Sequence, residues 1–188
     1  MADERDEREL RDTARLLVRS GLDSAEALEE TFTEMVRLQM PHTDPAIMAR
    51  AWLLAAHREW VRDAGTWGVP TDHDRLTAAF DECRSHSVTV LEGVGDLAEV
   101  RRVVEASTPP LRGVLWFGRE AVFDALGTGV LLVGLRHGNG APVEVEGDPL
   151  GAAVAGCLER HGIASRPVVG GLEVATWWQR RPAQVTAA

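Results

Sequence analysis

The stretch Arg112 to Leu135, RGVLWFGREAVFDALGTGVLLVGL, decides how this chain is read. Two short, strongly apolar runs, Arg112 to Phe117 and Gly129 to Leu135, bracket a single helical turn or two at Glu120 to Leu126. Apolar runs of that length, set between glycines and charged residues, read as buried strands. Upstream, Ser87 to Leu91 (SVTVL) is β-branched and reads as another strand. Between it and Arg112, Asp96 with Glu99 opens a helix through Leu97, Val100 and Val104, which Pro109 and Pro110 stop. Downstream, Gly138-Asn139-Gly140 reads as a turn, and Asp148-Pro149 pairs an N-cap with a first-turn proline. The helix that follows carries Leu150, Val154, Cys157, Leu158 and His161 and ends at Gly162. Pro167 to Val169 and Leu172 to Trp178 flank Gly170-Gly171 in the spacing of a two-residue hairpin turn. Strand, helix, strand, strand, helix and hairpin is the order of a split βαβ, ferredoxin-like sheet with an added C-terminal hairpin, mostly antiparallel and of the α+β class.

Towards the N-terminus the period changes to that of helices. Leu10, Ala14, Leu17 and Val18 recur at helical spacing before Gly21, and Asp23 or Ser24 caps a second stripe of Leu28, Phe32, Met35 and Val36. Asp44-Pro45 opens a third helix with Met48, Trp52, Ala55, Ala56 and Trp60. The breakers DAGTWGVP, Asp63 to Pro70, mark a boundary, after which Thr71 or Asp72 caps a helix bearing Leu76, Ala79, Phe80 and Cys83. The expected organisation is a helical segment over 1–66, an α+β sheet domain over 67–181 and a frayed tail over 182–188. The three N-terminal helices are expected to pack on the sheet.

Composition narrows the chemistry. The chain has 188 residues, 45% of them hydrophobic and 26% charged, which suffices for a core without staples. It has no lysine and no tyrosine, so Schiff-base lysines, P-loop lysines and tyrosine acids are excluded. A net charge of −9 opposes phosphate backbones, so no nucleic-acid partner is expected. No apolar run is long enough to span a bilayer, and the start MADERDERELRD does not resemble a signal peptide, so the expectation is a cytoplasmic protein without membrane contact. Two cysteines, Cys83 and Cys157, suit a reducing compartment.

Trp67-Gly-Val-Pro-Thr-Asp-His-Asp-Arg-Leu76, followed by Ala78, Ala79 and Phe80, resembles an actinobacterial domain-of-unknown-function family whose members carry a T-D-x-D-R-L-x-x-A-F run. Val114 to Phe117 leading through Glu120 and Ala125 to Gly127 to Leu132 is similar to that family's strand, acidic helix and glycine-led strand, and Trp178-Gln-Arg-Arg181 to its terminus. The resemblance implies a fold family and no activity. It also marks a departure: where members place a Cys-Cys-x-x-Cys-Gly group after the first strand, this chain has Leu91 to Asp96 without a cysteine.

Asp72, His73 and Asp74, beside Trp67, are the sharpest candidate cluster, since two carboxylates flanking an imidazole suit proton transfer or ligand binding. Neighbouring helical residues diverge, however, and the same acids suit a helix start. Arg119 and Arg136, at strand ends, are candidates for holding an anion, and Trp177, neighbour on a strand to Trp178, for lining a groove. Cys83 with His86 and Cys157 with His161 have zinc-like spacing, but a site would require two separate helices to bring these ends together. The expectation is therefore buried, reduced, metal-free cysteines and no cofactor. Gly93-Val-Gly95 and Gly127-Thr-Gly129 do not complete a phosphate loop. The reading that results is a non-enzymatic acidic binding module, inhibitor-like or immunity-like, for a basic protein partner or a small anionic ligand. The alternative is an accessory enzyme of specialised metabolism using Asp72, His73 and Asp74 in acid-base chemistry.

Overall fold

The computed structural model describes residues 2–107, 111–145 and 147–182. The expected stop at Pro109 and Pro110, and all but the first residue of the expected tail, lie outside them. The described residues divide into two compact units, 2–68 with 180–182, and 69–179.

The first unit is helical: α1 (Ala2–Ser20), α2 (Ala25–Gln39) and α3 (Pro45–Ala64). Leu10, Ala14, Phe32, Val36, Ala49, Trp52 and Trp60 form its core, and Phe32 meets Trp52 edge-on at 6.4 Å. Gly21 ends α1 in a left-handed conformation (φ 61°) that a side chain would strain, and the Arg180 side chain lies directly over it. Ser24 caps α2 through the Ala27 amide, so of the two candidate caps the serine acts. Asp44 caps α3 through the Ala46 and Ile47 amides. The chain returns to this unit at its far end: the Trp60 indole donates to the Arg180 carbonyl at 2.8 Å, and the Arg181 guanidinium donates to the Trp67 and Gly68 carbonyls.

The second unit comprises α4 (Asp72–Ser85), β1 (Val88–Glu92), α5 (Leu97–Ala106), β2 (Gly113–Phe117), α6 (Arg119–Thr128), β3 (Val130–His137), α7 (Pro149–Arg160), β4 (Ser165–Val168) and β5 (Gly171–Ala175). The α+β class and the mostly antiparallel five-stranded sheet are as expected, with strands in the order β1-β2-β3-β5-β4. The split is not. β1 lies directly beside β2, parallel, because the edge of β3 that a split arrangement would offer to β1 is taken by β5. Gly171 comes so close there that an added Cβ would lie 1.9 Å from the Val133 carbonyl oxygen. Opposite it in the sheet, Trp116 pairs with Gly134 and spreads its ring over the space a side chain would fill. Alternation then sorts the faces. Leu115, Phe117, Leu131, Val133 and Leu135 are buried on one face with Phe80 of α4, whose ring stacks on Phe117 at 5.8 Å. Val114 and Trp116 point to the other face, where Val100 and Val104 of α5 meet them.

The hairpin turns at Val169-Gly170, one residue earlier than the paired glycines suggest, with Gly170 left-handed (φ 75°) and Gly171 already in β5. β5 stops at Ala175, so Trp177 and Trp178 are not strand neighbours as expected. Past Ala175 the partner strand has run out, and the Thr176 amide closes the ladder on the Gly129 carbonyl. Among the described residues no helix is long and apolar enough to cross a membrane.

Candidate functional sites

The residues singled out in the sequence do not assemble into one site. Thr71 and Asp74 form a reciprocal capping box at the start of α4: the Thr71 hydroxyl accepts from the Asp74 amide, and the Asp74 carboxylate accepts from the Thr71 amide at 2.8 Å. Asp72 is not the cap. Its carboxylate accepts from the Trp177 amide at 3.2 Å and pairs with Arg75. His73 sets its ring edge-on to the buried Trp178 ring at 4.7 Å, and Trp178 in turn meets Phe117 at 5.5 Å. Asp72 and His73 thus tie the start of α4 to the chain after β5, whereas Asp74 closes the cap on Thr71. Trp67 belongs to the helical unit, where its carbonyl receives Arg181. Arg119 follows the end of β2, whereas Arg136 pairs across from Val114 near its beginning, so the two residues stand at opposite ends of β2. Arg136 donates to the Gly140 carbonyl and lines a small hollow of about 150 Å³ with Leu97, Arg101, Val104 and Asn139. Trp177 is half-exposed and lays its ring against Gly129.

Two features were not built from the sequence. The first is at the C-terminal ends of α4 and α7, which pack together and bring the two buried cysteines side by side. Both are reduced. Burial, and then the neighbouring Cys157 sulfur, pushes the Cys83 thiol up to about 12, so Cys83 stays protonated. Around them Glu82 accepts from Arg160 Nε at 2.7 Å and its other oxygen lies 2.9 Å from His161 Nε2, and Arg160 reaches Cys157 Sγ at 3.3 Å. Arg160 above all holds the Glu82 carboxyl below the usual carboxylate range. Glu82 went unremarked although it stands one helical turn before His86, the i, i+4 relation that places both on one face.

The second is an open groove of about 610 Å³ in the helical unit. Leu17, Val18, Leu28, Leu53, Leu54 and Trp60 give it an apolar floor, with Asp23 and Glu29 on the α2 side and Arg180 and Arg181 at one end. Alongside it the exposed face of α3 carries Ile47, Leu54 and Val61 at seven-residue intervals, 66%, 48% and 48% exposed. The stripe's heptad spacing runs along the same helix as the buried stripe of Trp52, Ala56 and Trp60, the set that the sequence pattern emphasises.

A family model described as a domain of unknown function, DUF6891, matches residues 3–182. No curated protein and no solved structure matches the chain.

Proposed function

We propose, for a chain that belongs to the DUF6891 family and takes no activity from it, that its role is non-enzymatic binding, with the helical unit receiving an amphipathic helix of a basic protein partner. The observation that carries this reading is the apolar groove beside the Ile47, Leu54 and Val61 stripe. Solvated helix faces are ordinarily polar, so exposed isoleucine, leucine and valine at heptad spacing along a 20-residue helix form an apolar strip on which the apolar face of a partner helix can pack. The floor continues the stripe around α3 through Leu53 and Trp60, so a docked helix would bury both together.

Charge selects the partner. α2 carries Glu26, Glu29, Glu30 and Glu34 against one arginine, Arg37. The groove itself carries Asp23 and Glu29 beside Arg50, Arg180 and Arg181; Glu29 engages Arg50 at 2.8 Å and backbone carbonyls engage Arg181, so the acidic selection comes from Glu26, Glu30 and Glu34, which line a separate hollow on α2 that shares Glu29 with the groove. The net charge of −9 would steer such a partner from a distance. A small anion is favoured less, because Arg119 and Arg136 stand at opposite ends of β2.

The test is co-purification of the full chain from its own cells. A stoichiometric basic partner, retained by the wild type, lost in Leu54→Asp and weakened by added salt or by Glu26→Lys with Glu30→Lys, supports the reading. Retention of the same partner by Leu54→Asp, or a bound small molecule in its place, overturns it.

A further inference from the structure

We infer that Glu82, His86 and Cys157 form a site for a thiophilic divalent cation, of which zinc is the best fit. One donor atom from each lies within 4.8 Å of the others, close enough for a tetrahedral ion to draw them together with small side-chain movements. Glu82 lies in the last turn of α4 and His86 is its C-cap, four residues on, with Glu82 Oε1 and His86 Nε2 separated by 3.8 Å, and Cys157 comes from the packed end of α7. The condition that made zinc unattractive in the sequence, that two helices must bring their ends together, is met here.

The donor set chooses the metal. A thiolate and an imidazole with one carboxylate favour zinc over magnesium or calcium, which take oxygen ligands. Of the two sulfurs, Cys157 is the ligand, because its Sγ is the one within 4.8 Å of the Glu82 and His86 donor atoms. His161 holds the second carboxylate oxygen of Glu82 at 2.9 Å, the outer contact that commonly orients a metal-bound carboxylate. Three protein ligands leave a fourth position for water or a ligand atom.

Arg160 is the competing cation. Its guanidinium bridges Glu82 and Cys157, the donors the metal would take, and its side chain is 57% exposed, so it can swing into solvent. Binding then exchanges one cation for another: the metal enters, Arg160 leaves, and the Cys157 thiol releases its proton as the metal–sulfur bond forms. This role is separate from the groove, which lies in the other unit.

Titrating the metal-stripped full chain with Co²⁺ and then Zn²⁺ tests it, folding being followed by circular dichroism. One equivalent of Co²⁺ should produce a thiolate-to-metal charge-transfer band and tetrahedral d–d absorption, both abolished by Zn²⁺. The charge-transfer band should vanish in Cys157→Ser and persist in Cys83→Ser. His86→Ala, at an exposed position where folding is not at risk, should weaken binding at least tenfold, and Arg160→Gln should tighten it several-fold. No stoichiometric Co²⁺ binding, a band that survives Cys157→Ser, unchanged affinity in His86→Ala, or weaker binding in Arg160→Gln would each overturn the site.

Discussion

Asp148 offers the most exacting test of the sheet unit. Its side chain, 6% exposed, accepts the Leu150 and Gly151 amides at the start of α7 at 2.8 and 3.2 Å, the Glu144 amide at 3.2 Å, and pairs with His137 Nε2 of β3 at 2.8 Å. Burial alone would raise its pKa; the His137 contact and the three amides outweigh it and lower the group to about 2. Held at about 2 instead of its ordinary value near 4, the carboxyl contributes about 2 kcal/mol of stability, present in full above that ordinary value and lost as pH falls from about 4 towards 2. Asp148→Asn keeps a capping oxygen and removes the charge, so at pH 7 it should cost about 2 kcal/mol, or roughly 4 to 8 °C in melting temperature. The gap between wild type and variant should then narrow between pH 4 and pH 2. Urea unfolding followed by circular dichroism across that range measures it. A gap that stays constant down to pH 2, or no loss at pH 7, would refute the assignment of Asp148 as a charged clamp between α7 and β3.

Three shorter predictions follow the same reasoning. Thr71→Ala should cost about 1 kcal/mol in urea unfolding through loss of the capping box, and Asp74→Ala a similar amount. Gly134→Ala places a Cβ 2.3 Å from the Trp116 ring, which must move; the expected cost is roughly 1 to 3 kcal/mol, with a shift in tryptophan emission. Ending the chain at Gln179 removes the Trp60 indole's acceptor and the Arg181 bonds to Trp67 and Gly68, and should lower the stability of the helical unit by about 2 kcal/mol, read as faster amide exchange in α3.

Local rules were the legible part of this fold. The Asp-Pro pairs at 44–45 and 148–149, the glycine after α1 and the short apolar runs of β2 and β3 each act within a few residues, and each appears close to where its pattern ends. Strand order was less legible, because it depends on which edge of β3 is taken, and that turns on Gly171 approaching a backbone some 40 residues earlier in the chain. The turn at Val169-Gly170 shows the same effect on a smaller scale: two adjacent glycines mark a turn, and only pairing tells which of them lies in the strand. Candidate sites fared differently by kind. Asp72, His73 and Asp74 looked like one cluster because they are adjacent, whereas helical geometry sends them to Trp177, Trp178 and Thr71. His86 and Cys157, which the sequence offers only as members of two separate cysteine–histidine pairs, lie 71 positions apart, and helix packing brings them together with Glu82, which the sequence pattern does not single out.

The central claim is that a partner's amphipathic helix occupies the groove of the helical unit. The most direct measurement replaces Leu54 with a photo-crosslinking residue in the full chain, irradiates the cells that make it, and sequences the cross-linked peptide. The account predicts one partner protein, joined through a segment with apolar residues at i, i+3, i+4 and i+7 and with arginine or lysine along its edge, and no such product from a cross-linker at the exposed Leu132 of β3. Cross-links from position 54 only to a second copy of this chain, or to segments lacking that pattern, would contradict it.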